Sequence, residues 1–391
     1  EACCAEDLDW VVREILQLRS NTAMCFFRQG NAERAFHEFE LIRRISALSH
    51  SPDLLLNCAA CLHVMRNWDE AVRYALEALN YATSREMIDR IYAALGNYYY
   101  IQKKYRKSIE EGYARLSTPD SVQACHGMAF SLLALKQFKE GFEKYEARLA
   151  LPQRNEMLTR IKIPMLDYWD GKTPCKKLLV VYEQGLGDNV QFFRFVIALT
   201  KKDPSIEVHY FCHNDIAHLF DCAANQQLNI RVVHAVDLPL YTHYVYITSL
   251  PYILGVETIA DIPPPSANCI ARAPLRDAEW RARIARLRDD KQKVVALTYK
   301  GRLHAEFIEK RVLFEDVCRW TAKATHCTFI CLQPWSEIKE DWETLRHLVP
   351  SNLVHFPELD STDKFNDTVS ILRAVDECIA IDSVVAHIAG T

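Results

Sequence analysis

The chain has 391 residues, 49% hydrophobic and 25% charged, with a formal net charge of -4 and a pI near 6.4. That is enough apolar material for about two to four domains with full-sized cores, which excludes disorder and small stapled scaffolds. The slightly acidic balance argues against a nucleic-acid binder, and no run of eighteen apolar residues is present to make a transmembrane helix.

The chain opens EACCAEDLDW, without the basic-then-apolar order of a secretory signal. It also lacks an initiator Met and reads as an excerpt from which a targeting segment could have been removed. The fourteen cysteines are dispersed and many lie in apolar runs, as expected of buried thiols in a reducing, cytoplasmic setting. Cys58 and Cys61 form a C-x2-C inside a helical pattern, but no second Cys/His pair completes a zinc set.

Residues 8–150 read as helix after helix. Four segments resemble one another: QGNAERAFHEFE, MRNWDEAVRYALEAL, QKKYRKSIEEGYARL and LKQFKEGFEKYEARL. Their small anchors Ala35, Ala71, Ser108 and Gly141 are spaced by 36, 37 and 33 residues, near the roughly 34-residue tetratricopeptide period. One helix pair cannot bury its own apolar face, so stacked pairs forming a solenoid over residues 1–155 are expected. An unspecialised helical bundle is the alternative.

Beyond about residue 160 the pattern alternates. KLLVVYE (177–183), IEVHYF (206–211), IRVVHA (230–235) and HYVYIT (243–248) read as strands, with helices from Asp188 to about Thr200 and near 214–225. After the run Pro263, Pro264, Pro265, a charged helix over 275–288 leads into VVALTY (294–299), CTFICLQ (327–333), VHF (354–356) and ECIAI (377–381). Helices are expected near 314–325, 337–348 and 365–374. Strands separated by helices of this length predict parallel sheets, here in two lobes over 156–275 and 276–391 with a ligand cleft at their carboxyl ends.

Three segments carry candidate chemistry. In YEQGLGDNVQFF, Gly185 and Gly187 sit between a strand and a helix, where free N–H groups suit an anion. Position 190 is Val, so the third glycine of a dinucleotide fingerprint is missing, and no Gly-Lys-Ser/Thr follows for a P-loop. Asp188 either caps the helix or acts as a general base. In AIDSVVAHIAGT, Asp382, Ser383 and His387 follow a strand end, as ligand groups or as a cap with a half-buried His. In YKGRLHAEFIEKRVLF, the cations Lys300, Arg302, His304, Lys310 and Arg311 suit a diphosphate, or form a solvated loop.

Taken in order, EGFEKYEARL, LDYWDG, LLVVYEQGLGDNVQFFRF, ITSLPYILG, IPPP, VVALTYKG, ICLQ, FNDTVSIL and IDSVVAHIAG resemble the tetratricopeptide-repeat proteins whose C-terminal half is similar to heptosyltransferases. The resemblance covers about residues 20–391 and implies a GT-B fold of two Rossmann-like lobes following the solenoid. It implies inverting transfer of a sugar from a nucleotide diphosphate to an acceptor hydroxyl, without a metal or other cofactor. Asp188 would be the base. Asp382, Ser383 and His387 would hold the donor's sugar and diphosphate, with Gly185, Gly187 and Lys300 nearby and the family's basic residue at Lys310 or Arg311. The repeats would recruit a protein or glycan acceptor. TYKG stands where the family often has Trp-Ala/Ser-Gly, and the chain stops at Thr391, so the C-lobe is expected to be incomplete. The rival reading is a non-catalytic repeat scaffold with a degenerate nucleotide-sugar lobe; a dinucleotide-dependent enzyme is a third.

Overall fold

The computed structural model describes residues 2–45, 50–151, 166–265, 269–288, 293–301, 312–359 and 364–391. The chain falls into two units, residues 1–155 with 256–259 and residues 156–255 with 260–391.

The first unit is helical. Helices α1 (Ala2–Arg28) and α2 (Ala32–Arg43), α3 (Pro52–Val64) and α4 (Trp68–Tyr81), α5 (Arg85–Ile101) and α6 (Tyr105–Lys107), and α7 (Val122–Ala134) and α8 (Phe138–Tyr145) form four successive pairs. The anchors Ala35, Ala71, Ser108 and Gly141 are all buried, because the second helix of each pair approaches its partner there. Each pair turns through one left-handed residue: Gly30, Arg66, Lys103 and Lys136, at φ between 59° and 82°. The N–H of the next residue returns to a carbonyl five positions back: Asn31 to Phe26, Asn67 to Leu62, Lys104 to Tyr99 and Gln137 to Leu132. This closure satisfies carbonyls that the helix end leaves open. Only the first pair places glycine at that position.

The third pair departs from the pattern. α6 passes at once into a π-helical turn, Ser108–Gly112. A Cβ on Gly112 would lie 2.4 Å from the Gly96 Cα, and the Ser108 hydroxyl donates to the Gly96 carbonyl at 2.7 Å. Two backbones touch there, and the wider turn accommodates that approach.

The second unit contains two parallel sheets. The first has the order β1-β5-β2-β3-β4 from β1 (Asp167–Tyr168), β2 (Lys177–Val181), β3 (Glu207–Phe211), β4 (Ile230–Val233) and β5 (His243–Tyr246). Strand β1, inside LDYWDG, is too short to show a pattern in sequence. The long helix α9 (Leu186–Lys202) follows β2. The expected helix near 214–225 is two, α10 (Asn214–Phe220) and α11 (Ala223–Gln227), broken at Asp221 and Cys222. A short helix α12 (Leu250–Leu254) follows β5, and α13 (Pro274–Leu287) comes next in the chain.

The second sheet has the order β8-β7-β6-β9 from β6 (Lys293–Thr298), β7 (Cys327–Cys331), β8 (Leu353–His355) and β9 (Glu377–Ala380). Helices α14 (Phe314–Lys323), α15 (Trp335–Thr344), α16 (Asn366–Leu372) and α17 (Val384–Ala389) accompany it. Residues Leu178 to Val181 and Val294 to Leu297 are buried on both faces, as strands covered by helices on each side must be. Helix α13 joins this second sheet: Trp280 Nε1 donates to Asp367 at 2.8 Å and Ser370 to Asp277 at 2.6 Å.

Candidate functional site

In a parallel sheet every strand points the same way, so the loops after β2 and after β9 each leave a carboxyl edge. α9 begins at Gly185, and Asp188 stands at its third position. One carboxylate oxygen of Asp188 accepts the Gly185 N–H at 2.9 Å. The capping role open in the sequence is therefore adopted by that oxygen. The other accepts no hydrogen bond among the described residues.

Neither Gly185 nor Gly187 has a positive φ; the left-handed residue of this turn is Gln184, at 64°. The reason for glycine at 187 is space. A Cβ there would lie 2.4 Å from Cδ2 and 3.1 Å from Nε2 of His387. The group approaching the backbone is thus a side chain of the same polypeptide, carried by α17, which packs on α9. His387 Nε2 stands 3.7 Å from an oxygen of Asp382, which is mostly exposed. Two motifs about 200 residues apart in sequence meet here.

Ser383 precedes α17 and makes no capping bond; its hydroxyl oxygen is buried and unpartnered among the described residues. So is the hydroxyl of Thr298, the last residue of β6, where it pairs with Ala380 of β9. Two buried hydroxyls without partners at neighbouring strand ends are what a bound polar group would satisfy.

The cationic loop is placed only in part. Lys300 turns onto α15, with its ammonium 3.0 Å from Asp341 and bonded to the Glu337 carbonyl. Its charge is therefore matched by α15. Arg302, His304, Lys310 and Arg311 lie outside the described residues.

Sequence reasoning did not single out the groups that hold the glycine turn. Glu183, 5% exposed, accepts a hydrogen bond from Thr248, beyond β5. Asn189 is fully buried and bonds to the carbonyls of Glu183 and Gly185. A usable signal was present: Asn189 falls on the helical stripe of Val190, Phe193, Val196 and Ile197, where a polar residue needs internal partners.

Among the described residues, no group of three or more His, Cys, Asp or Glu could hold a metal ion. Cys58 and Cys61 are buried, and burial pushes both thiols up, Cys61 to about 12. The twelve cysteines from Cys25 to Cys378 are free. No described helix is long and apolar enough to cross a membrane.

No family model matches the chain, and no curated protein does. Among solved structures, the chain is similar to the Escherichia coli ADP-heptose lipopolysaccharide heptosyltransferase II at 10% identity, covering 55% of this chain and 81% of that one with a TM-score of 0.38. A family 9 glycosyl transferase from Veillonella parvula gives 11%, 57%, 78% and 0.37 for the same measures. A variant O-GlcNAc transferase from Thermobaculum terrenum gives 11%, 93%, 82% and 0.30.

Proposed function

We propose that this protein is an inverting glycosyltransferase that moves a sugar from a nucleotide diphosphate to an acceptor hydroxyl. The observation that carries the reading is the meeting of EQGLGD with DSVVAH at the contact of Gly187 with His387. In the proposed reaction, the free oxygen of Asp188 takes the acceptor's proton as the acceptor oxygen attacks the anomeric carbon. The bond from that carbon to the diphosphate breaks, and the leaving oxygen keeps the electron pair. Ser383, His387 and the cations at Lys310 or Arg311 stabilise that charge, while Asp382 holds the sugar. The helical unit recruits the acceptor, a protein or a glycan, and the protein works in the cytoplasm.

Asp188→Asn is expected to lower transfer by about 10²–10⁴-fold while UDP, GDP or ADP still binds. Equal turnover in the variant would remove Asp188 as the base. Asp382→Ala is expected to weaken binding of the preferred nucleotide sugar about tenfold or more, and unchanged affinity for that nucleotide sugar by calorimetry would exclude the residue from the donor site.

A second reading has its own support. Asp188 already caps Gly185 and Lys300 is already paired with Asp341, as in a nucleotide-sugar lobe that has lost its chemistry. A thermal-shift screen against nucleotide sugars separates the two, because a site that binds nothing gives no stabilisation.

A further inference from the structure

The carboxylate at 188 stands at the end of a turn with an unfavourable backbone. Gln184 occupies the left-handed region at φ 64°, which is uncommon for a residue with a side chain. Something must hold it there, and one side chain reaches both of its neighbours. Asn189 Nδ2 donates to the Glu183 carbonyl at 3.0 Å and to the Gly185 carbonyl at 2.7 Å. These carbonyls flank Gln184 on either side.

The orientation of that amide is itself fixed. Its Oδ1 accepts the Tyr210 hydroxyl at 2.9 Å, and Tyr210 is fully buried in β3. A phenol donating to Oδ1 leaves Nδ2 facing the two carbonyls. The neighbouring strand thus sets the amide, the amide sets the turn, and the turn sets Gly185, whose N–H holds Asp188.

We propose that Asn189, oriented by Tyr210, is the positioning residue that aims Asp188. The proposal rests on the glycosyl-transfer reading for its consequence but not for its geometry. Without the clamp, Gln184 relaxes toward negative φ and the Gly185 N–H turns away from Asp188. The carboxylate then loses its direction, and a displacement of 1 Å at a reacting group costs about 100-fold.

The test uses Asn189→Asp, Asn189→Ala and Tyr210→Phe in the full chain, with two readouts. Hydrogen exchange of the segment 182–188 follows the clamp without reference to any substrate. Turnover and nucleotide affinity are measured with the nucleotide sugar that gives the largest thermal shift among UDP-, GDP- and ADP-sugars. Asn189→Ala is expected to speed exchange and to lower turnover about 100-fold, with UDP, GDP or ADP affinity within about twofold.

Asn189→Asp is the diagnostic variant. A protonated carboxyl can still donate to one carbonyl, whereas the carboxylate repels both. Burial raises the carboxyl's pKa above its usual value near 4. Exchange of the segment, and turnover with it, should therefore switch between protected at acid pH and open at alkaline pH, a step absent from the wild type. Tyr210→Phe should show a smaller effect of the same kind, about tenfold or less in turnover. Segment protection, corrected for the intrinsic pH dependence of amide exchange, that is unchanged in Tyr210→Phe and shows no step with pH in Asn189→Asp would overturn the proposal. A wild type inert toward every nucleotide sugar would instead refute the transferase reading, and the exchange data would still decide the clamp.

Discussion

Gly187→Ala separates two opposing effects at the contact between α9 and α17. Gly187 lies in the first turn of α9 without a positive φ, so alanine suits its backbone better by at most about 1 kcal/mol. Against that, the new Cβ would stand 2.4 Å from His387 Cδ2, where ordinary contacts begin at 3.4 Å. The imidazole, or α17 with it, must retreat by about 1 Å. Overpacking of this kind costs about 1–3 kcal/mol. His387 retains 24% exposure, so its ring can yield partly toward solvent, which points to the lower half of that range. The net expectation is a loss of about 1 kcal/mol, or about 2–4 °C for a unit of this size. In a His387→Ala background the obstacle is gone, and the same substitution should become neutral or stabilising. Urea unfolding of the wild type, both single variants and the double variant, followed by tryptophan fluorescence, measures the coupling. If Gly187→Ala destabilises equally with and without His387, the steric reasoning is wrong. If it is stabilising in the wild type, α9 and α17 do not make this contact in solution.

Gly112→Ala should cost more than Gly187→Ala, because its Cβ would meet backbone atoms of Gly96 at 2.4 and 2.6 Å, which no rotamer change relieves; a smaller loss in urea unfolding would contradict that contact. Asp170 accepts the N–H groups of Thr173 and Lys172 at 2.7 and 2.8 Å, which depress its carboxyl to about 2. Its contribution to stability is thus complete above pH about 4 and is lost as pH falls toward 2, so Asp170→Ala should flatten the acid limb of stability against pH; an unchanged limb would count against the turn. A thiol reagent should label exposed Cys25 before the cysteines from Cys58 to Cys378, with Cys58, Cys61 and Cys331 reacting only on unfolding. Early labelling of Cys58 or Cys61 would show the first unit to be more open than its packing indicates.

Much of the architecture was legible because it is written in local periodicity. The spacing of Ala35, Ala71, Ser108 and Gly141 marks the helix pairs, since each pair must place a small residue at the same close approach. Apolar runs such as KLLVV and VVAL mark strands buried on both faces. The left-handed turns at Arg66, Lys103 and Lys136 were not legible, because those side chains carry no preference for that conformation and the turn is imposed by helices already packed on either side. The break at Asp221 and Cys222 was hidden for a similar reason: the polar and apolar pattern runs on through it.

For the candidate site, the sequence by itself determined which residues are candidates: a carboxylate after two glycines, and an Asp, a Ser and a His after a strand. Tertiary structure decided their relations. That Gly187 is glycine for the sake of His387 depends on two helices about 200 positions apart, and no local pattern encodes such a distance. That Asn189 grips two carbonyls while Tyr210 grips Asn189 depends on β3 lying beside β2, which the chain achieves only when the sheet closes. Residue types follow from local chemistry; the direction of a side chain follows from the long-range packing that surrounds it.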